Sequence, residues 1–274
     1  MKVLNSPIQY VGGKFWLFRT FMQYFPIHTK EVVSPFFGGG AIELNLASRG
    51  VKVIGYDKFE PVVNFWNVFP KSPNQFVVDV VELLKSESRE YFTGIHNGDY
   101  FKEECNYKRA LLYFLLTRMS FRSIAFNDYS LRSNFKDRLT PGVLDRVSKF
   151  DITGFSVQVS DAFDTIARHP DHLLYLDPPY SQLRDCLYGN SKEYHADFKH
   201  RDLFNLLKDR KRWMLSYNDV PFVRELYEDF AKLHLKRLGD GNIRKKEEVL
   251  IFSPDIVHIS QCKPKQLSLF AGIK

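Results

Sequence analysis

Short apolar or β-branched runs alternate with amphipathic stretches along the chain. Glu31–Ser34, Lys52–Tyr56, Phe155–Val159, Leu173–Leu176, Trp213–Ser216, Leu233–Arg237 and Glu248–Phe252 read as strands. Helical patterns fit between several of them, at Ala41–Ser48, Phe59–Phe69, His200–Lys208 and Pro221–Phe230. Alternation of this kind predicts an α/β fold around a seven-stranded, mainly parallel, Rossmann-like sheet. The last two strands are joined by the polar run Gly239-Asp240-Gly241-Asn242 with no helix between them. They are expected to form a C-terminal antiparallel hairpin at or near the sheet edge.

The stretch from about Pro73 to Phe150 breaks the rhythm. It holds helical patterns, notably Lys108–Met119, and few strand signals. It reads as an inserted, mostly helical subdomain at 73–150. The sheet domain is then expected at 1–72 and 151–262, with a flexible tail at 263–274. No internal repeat or low-complexity tract is present.

Composition narrows the class. The chain has 274 residues, 44% of them apolar, with 25 Phe and 14 Tyr, which supports a filled core and excludes disorder as a whole. Its formal net charge of +7 suits a polyanionic partner such as nucleic acid, or simply a basic surface. Cys105, Cys186 and Cys262 stand far apart and offer neither zinc spacing nor a disulfide framework. No metal is expected. No basic segment followed by an apolar run opens the chain, and no apolar stretch is long enough for a membrane span. A reducing cytoplasm is the simplest expected setting.

Candidate chemistry gathers at three places. Pro35-Phe36-Phe37-Gly38-Gly39-Gly40 follows a strand and opens a helix. Glycines there allow a tight turn and close approach of backbone to a ligand, with helix amides facing it. Asp57 ends the next strand, where an acid can accept from ribose hydroxyls. A nucleoside cofactor fits both features; a dinucleotide fold or a plain capping turn uses similar devices, although the G-x-G-x-x-G spacing is not met. Near the N-terminus, Gln9-Tyr10-Val11-Gly12-Gly13-Lys14 places a lysine after a turn, within reach of a carboxylate or of solvent.

Asp177-Pro178-Pro179-Tyr180 directly follows the buried-strand pattern Leu173–Leu176. The tetrad therefore stands at the carboxyl end of a central strand, where ligands of open α/β sheets bind. Two prolines stiffen the chain, and the Pro178 carbonyl stays free to accept. A carboxylate and a carbonyl side by side suit an amino group whose lone pair is delocalised into a ring. Accepting its hydrogens favours a more tetrahedral nitrogen, able to attack an activated methyl by positioning and electrostatics alone. Tyr180 offers a flat face to a base taken out of its stack. Related tetrads also serve methylation of RNA and of protein glutamine.

With these motifs in this order, the chain resembles the Dam-type, or D12 class, DNA adenine N6-methyltransferases. The matching residues are Tyr10–Lys14, Ser34–Gly40, Tyr56-Asp57, Asp177–Tyr180, Leu215-Ser216-Tyr217-Asn218-Asp219 and Arg244-Lys245-Lys246-Glu247-Glu248-Val249-Leu250. The resemblance implies a methyltransferase sheet with a helical target-recognition insertion. It implies S-adenosylmethionine as cofactor, with Tyr10, Lys14, Asp57 and Asp177 lining its pocket beside Phe36, Gly38 and Gly40 of the turn. By similarity Asp161 and Phe163 contact the cofactor's adenine. Asp177, Pro178, Pro179 and Tyr180 are the expected catalytic residues, and double-stranded DNA the expected partner of a monomeric enzyme that flips its target base. The resemblance also implies a bacterial or phage-encoded protein of the cytoplasm, associated with the nucleoid, and restriction–modification is a family setting. Alternatives are the same fold acting on RNA or protein, and a catalytically silent DNA-binding relative.

One departure bears on the target. GATC-methylating members usually carry Asn-Gly-Leu-x-Arg-x-Asn followed by Gly-x-Phe-Asn-Val-Pro-x-Gly. Here Arg122-Ser123-Ile124-Ala125-Phe126-Asn127-Asp128-Tyr129 and Ser133-Asn134-Phe135 stand instead, so GATC is not the expected site. Arg122, Asn127, Arg132 and Asn134 carry side chains able to read base edges or touch phosphates. Arg244, Lys245 and Lys246 are expected in the hairpin loop, against phosphates. Arg210-Lys211-Arg212 reads as solvated surface. In the tail, Gln266-Leu267-Ser268-Leu269-Phe270 follows a linker-like Lys263-Pro264-Lys265. It resembles the pentapeptide that docks on the bacterial sliding clamp, with Leu267, Leu269 and Phe270 as anchors and Gln266 fixing orientation; folding back on its own domain is the alternative.

Overall fold

A computed structural model describes residues 3–120, 125–126, 131–132, 134–179, 198–237 and 246–256, with backbone alone for 135, 136, 236, 237 and 246. Among these residues the strands are β1 (Glu31–Ser34), β2 (Lys52–Asp57), β3 (Phe155–Val159), β4 (Leu173–Leu176), β5 (Trp213–Asn218), β6 (Ala231–Arg237) and β7 (Lys246–Phe252). They form one sheet in the order β3-β2-β1-β4-β5-β7-β6. The five strands from β3 to β5 are parallel, and β7 runs antiparallel to both β5 and β6. The expected mainly parallel sheet with an edge hairpin is thus what the chain forms. Strands β5 to β7 run longer than their apolar runs, because cross-strand pairing carries β7 down to Lys246 against Arg237. Lys246 therefore belongs to strand β7 rather than to the hairpin loop.

The helices are α1 (Phe18–Tyr24), α2 (Glu43–Ala47), α3 (Glu60–Val68), α4 (Pro73–Ser86), α5 (Arg89–His96), α6 (Asn106–Met119), α7 (Pro141–Ser148), α8 (Ala162–Arg168), α9 (His200–Leu207) and α10 (Pro221–Leu226). Local signals explain their starts. Pro73, Pro141 and Pro221 occupy first-turn positions, where a missing N–H costs nothing. Ser88 and Asp161 cap α5 and α8 by accepting from Tyr91 N at 3.2 Å and Phe163 N at 2.9 Å. Helix α10 stops at Leu226, short of the expected Phe230, and Tyr227 and Phe230 instead turn onto the sheet.

Side chains alternate across a strand, so each strand feeds two cores. On one face Val33, Leu174, Leu176, Trp213, Leu215 and Tyr217 meet Ile166 of α8, Leu203 and Leu207 of α9 and Val223 of α10. On the other face Val32, Val53, Leu173, Tyr175, Met214 and Leu250 meet α1, α3 and the helices that interrupt the strand rhythm. Phe21 of α1 lies edge-on to Tyr175 with centroids 5.1 Å apart. The rings of Phe65, Phe76 and Phe114 tie α3, α4 and α6 together at 5.7–6.3 Å. Every residue of α6 from Ala110 to Met119 is buried, so this helix is central rather than amphipathic. The inserted helices share one continuous core with the sheet.

Arg210 corrects an expectation. It is half-buried and donates to the carbonyls of His169 and His172, the latter at 3.0 Å, and so fastens the turn before β4. Among the described residues no helix is long and apolar enough to cross a membrane.

Candidate active site

The carboxyl edge of β1, β2 and β4 collects the residues singled out by the sequence. After β1 the chain makes the glycine turn, with Gly38 at φ +47° and Gly40 at φ +67°. A β-carbon on Gly38 would stand 2.7 Å from Tyr10 Cε1, and one on Gly39 would stand 2.6 Å from Tyr10 Cβ. Glycine is therefore required so that Tyr10 can lie over the turn. Trp66 Nε1 donates to the Gly38 carbonyl at 2.9 Å and fixes the turn from below.

Asp57, at the end of β2, binds this turn directly. Its Oδ2 accepts from Gly38 N at 2.8 Å and its Oδ1 from Phe59 N at 2.9 Å. Burial pushes its carboxyl up to about 6, against the pull of those amide donors. Asp57 thus joins the glycine turn to the start of α3, with lone pairs left over for a ligand.

Asp177 follows β4 with its side chain 23% exposed. Lys14, only 2% exposed, places Nζ 2.7 Å from Asp177 Oδ1, 4.0 Å from Glu248 Oε1 and 3.0 Å from the Gly12 carbonyl, to which it donates. The carboxylate that Lys14 reaches is Asp177's own. Ser216 Oγ donates to the same Oδ1 at 3.1 Å. The period-2 alternation explains the gathering: Asp177 continues the face of Leu173 and Tyr175, and Ser216 continues that of Met214. Because β7 is antiparallel, its beginning rather than its end lies at this edge, which brings Glu248 opposite Asn218. Pro178 is buried and Pro179 half-buried.

A second buried acid stands close by. Glu43 accepts from Ser34 Oγ at 2.7 Å and from Ile42 N at 3.2 Å. Burial, with a contribution from the charge of Asp177, raises its carboxyl to about 8.

Aromatic rings border the turn on its other side. Phe198 lies between Phe36 and Phe163, with centroids at 5.6 Å and 5.8 Å. His200 then follows at 5.0 Å and hydrogen-bonds the Tyr217 hydroxyl through Nδ1. Burial lowers the His200 imidazole and raises the Tyr217 phenol. Asp161 caps α8, and its Oδ2 pairs with Lys58 Nζ at 3.2 Å.

The structure thus brings together Tyr10, Lys14, Gly38, Asp57 and Asp177, with Phe36 and Phe163 joined through Phe198. Arg132 and Asn134 stand in the stretch between α6 and α7. Arg132 N donates to Met119 O at 3.0 Å and its Nε to Ser120 O at 3.3 Å, beside an antiparallel bridge between Ser120 and Leu131. Asn134 is exposed. Tyr180, Arg122, Asn127, Arg244, Lys245, Gln266, Leu267, Leu269 and Phe270 lie outside the described residues, as does the side chain of Lys246. Among the described residues no group of three His, Cys, Asp or Glu side chains is placed to hold a metal ion.

Sequence reasoning passed over Phe198, Glu43, and the roles of Ser216 and Glu248. Phe198 stands alone in a polar run, and nothing local links it to Phe36 and Phe163. The two glutamates sit in a helix and a strand whose burial is decided only by packing.

A mainly parallel sheet with a glycine turn after β1, an acid closing β2 and Asp-Pro-Pro leaving β4 is the frame of a Rossmann-like methyltransferase. The profile of the D12 class N6 adenine-specific DNA methyltransferase family matches residues 10–239, and the chain belongs to that family. It is similar to the modification methylase StsI of Streptococcus sanguinis, 25% identical over 222 residues that cover 75% of this chain. Those residues span only 33% of that longer protein. The type II methyltransferase M1.LlaDCHI of Lactococcus lactis subsp. cremoris is 23% identical, over 81% of this chain and 84% of its own. The DNA adenine methylase of Haemophilus influenzae is 20% identical, over 90% of this chain and 92% of its own.

Proposed function

We propose that the protein moves a methyl group from S-adenosylmethionine to the N6 amino group of adenine at a specific site in duplex DNA. The observation that carries the reading is the junction of the Asp57-tethered glycine turn with the Lys14-bound Asp177 on one sheet edge. These residues fit a nucleoside ligand. Half-buried Phe36, Phe163 and Phe198 offer flat faces to a base, and Asp57 offers acceptors to ribose hydroxyls beside the Tyr10 ring that covers the turn. S-adenosylmethionine supplies a sulfonium methyl whose bond to sulfur breaks as the bond to nitrogen forms.

The chain's own part is positioning. Asp177 and the Pro178 carbonyl accept the two amino hydrogens, which turns the nitrogen lone pair toward the methyl group. The nitrogen then sheds one proton to solvent. Tyr180 stacks the adenine, which must leave the duplex for its amino group to reach the edge of the sheet. Residues 73–150 carry target recognition in this reading, with Arg122, Asn127, Arg132 and Asn134 toward bases and Arg244, Lys245 and Lys246 toward phosphates. The tail motif at Gln266, Leu267, Leu269 and Phe270 serves docking on a sliding clamp, which loss of clamp binding in Leu267→Ala and Phe270→Ala would register.

The test is tritium transfer from labelled cofactor into adenine-containing DNA, followed by mass analysis of the labelled product. N6-methyladenine is expected from the wild type and none from Asp177→Ala. Label in RNA or protein, or no label from a wild type that still binds cofactor, would overturn the reading.

A further inference from the structure

Asp177 is held by one oxygen. Its Oδ1 accepts from Lys14 Nζ at 2.7 Å and from Ser216 Oγ at 3.1 Å, while Oδ2 receives no hydrogen bond from the described residues. Behind Ser216, the hydroxyl of buried Tyr175 lies 3.2 Å from Ser216 Oγ. A serine hydroxyl has a single proton. With Tyr175 donating to Ser216, that proton is left for Asp177, and the two hydroxyls form a directed chain from Tyr175 through Ser216 to Oδ1. With the opposite direction, Ser216 would spend its proton on Tyr175 and leave Asp177 to Lys14 alone. The Leu176 carbonyl, 3.4 Å from Ser216 Oγ, is the weaker competing acceptor beside a carboxylate.

We infer that Ser216, directed by Tyr175, is a positioning residue for the methyl transfer: with Lys14 it saturates Asp177 Oδ1 and fixes the carboxylate so that Oδ2 alone faces the substrate amino group. The inference rests on the function proposed above. Its physical content is rotational. A carboxylate held by one cation can turn about its Cβ–Cγ bond and present either oxygen. A second donor on the same oxygen stops that rotation and sets the remaining lone pairs in one direction. Such a constraint acts on the bound amino group as the nitrogen becomes tetrahedral, and so belongs to turnover rather than to affinity. Both hydroxyls sit on neighbouring strands of the sheet, Tyr175 on β4 and Ser216 on β5, which makes the chain as rigid as the sheet.

The experiment is a double-mutant cycle of Ser216→Ala and Tyr175→Phe, read by single-turnover methyl transfer and by cofactor titration. Ser216→Ala is expected to lower the transfer rate about ten-fold, the rate equivalent of one lost hydrogen bond to a charged group. Cofactor Kd and KM for DNA should stay within about two-fold. Tyr175→Phe is expected to lower the rate by a smaller factor, and to add nothing once Ser216 is alanine. A rate unchanged in Ser216→Ala, a parallel weakening of cofactor binding, or full additivity of the two variants would overturn the inference. If Ser216→Ala does not fold, Tyr175→Phe decides: an unchanged rate refutes the directed chain and a reduced rate at unchanged Kd supports it. A wild type that transfers no methyl to adenine would instead sink the parent reading.

Discussion

The buried ammonium of Lys14 stands between two carboxylates, 2.7 Å from Asp177 Oδ1 and 4.0 Å from Glu248 Oε1. A cation without solvent needs such partners, and the partners need the cation. Lys14 therefore belongs to the fold of the site as much as to any ligand contact. It links the N-terminal segment before α1 to strands β4 and β7.

Replacing Lys14 by methionine keeps the length and removes the charge. It takes the cation away from both carboxylates and removes one of the two donors on Asp177 Oδ1. Losing one member of a buried pair is expected to cost about 3–5 kcal/mol of stability, less whatever Asp177 recovers from its partial exposure. Urea unfolding measures this, and a loss below about 1 kcal/mol would mean that the two carboxylates do not depend on Lys14.

The turn beneath Tyr10 has no room for a side chain. Gly39→Ala would place a methyl 2.6 Å from Tyr10 Cβ, and Tyr10 must move away. Calorimetric titration with S-adenosylmethionine is expected to show at least about ten-fold weaker binding, equivalent to 1.4 kcal/mol. Unchanged affinity would remove Tyr10 from the cofactor site.

Phe198 bridges Phe36 and Phe163, and its truncation should loosen both. Phe198→Ala is expected to weaken cofactor binding by about 1 kcal/mol, roughly five-fold in Kd. The same titration checks it, with Phe204→Ala, whose ring packs on Tyr227 and Phe230 instead, as a comparison that should bind normally.

Glu43 gives the protein a pH dependence of a definite sign. Its folded carboxyl lies at about 8, raised from 4.5 by burial and then by the charge of Asp177. Between those values the folded chain holds a proton that the unfolded chain has lost. The stability it contributes is complete below about 4.5 and is lost as pH rises through 8, with a slope of at most about 1.4 kcal/mol per pH unit. Asp57, raised to about 6, adds in the same direction at the lower end. Glu43→Gln, an uncharged isostere, should match the wild type near pH 5 and exceed it at pH 9. Unfolding curves at both pH values decide; equal pH slopes in the two proteins would refute the shift.

The sheet was legible because its evidence is local. Val32-Val33, Leu173–Leu176 and Trp213–Ser216 are strand runs on their own, and the glycine turn and Asp-Pro-Pro mark where two of them end. What those ends hold was less legible. Asp57 reads as a ribose acceptor, yet it first serves as the tether of the glycine turn. Ser216 and Glu248 read as members of motifs, and their convergence on Asp177 and Lys14 depends on β7 being antiparallel and on which face each residue takes. Arg210 reads as surface charge because nothing local shows the carbonyls it reaches at His169 and His172. Residues joined across strands leave no spacing to find.

The continuous core under the inserted helices limits how the recognition role proposed for 73–150 could be altered. Phe76 and Phe114 pack on Phe65 of the sheet's own helix, so the whole of 73–150 cannot be exchanged as a cassette without opening the interior. The bridge from Ser120 to Leu131, both buried, is held further by Arg89 on the carbonyls of Leu131 and Arg132 and gives a closed pair of ends within that core. Ala125 and Phe126 lie between those ends and are themselves buried, Phe126 against Phe59, Tyr100 and Tyr113, so a graft there must keep these two apolar positions. On the recognition role proposed above, new site preferences would arise by changing the residues around this apolar pair while the pair and the helices beneath it stay constant.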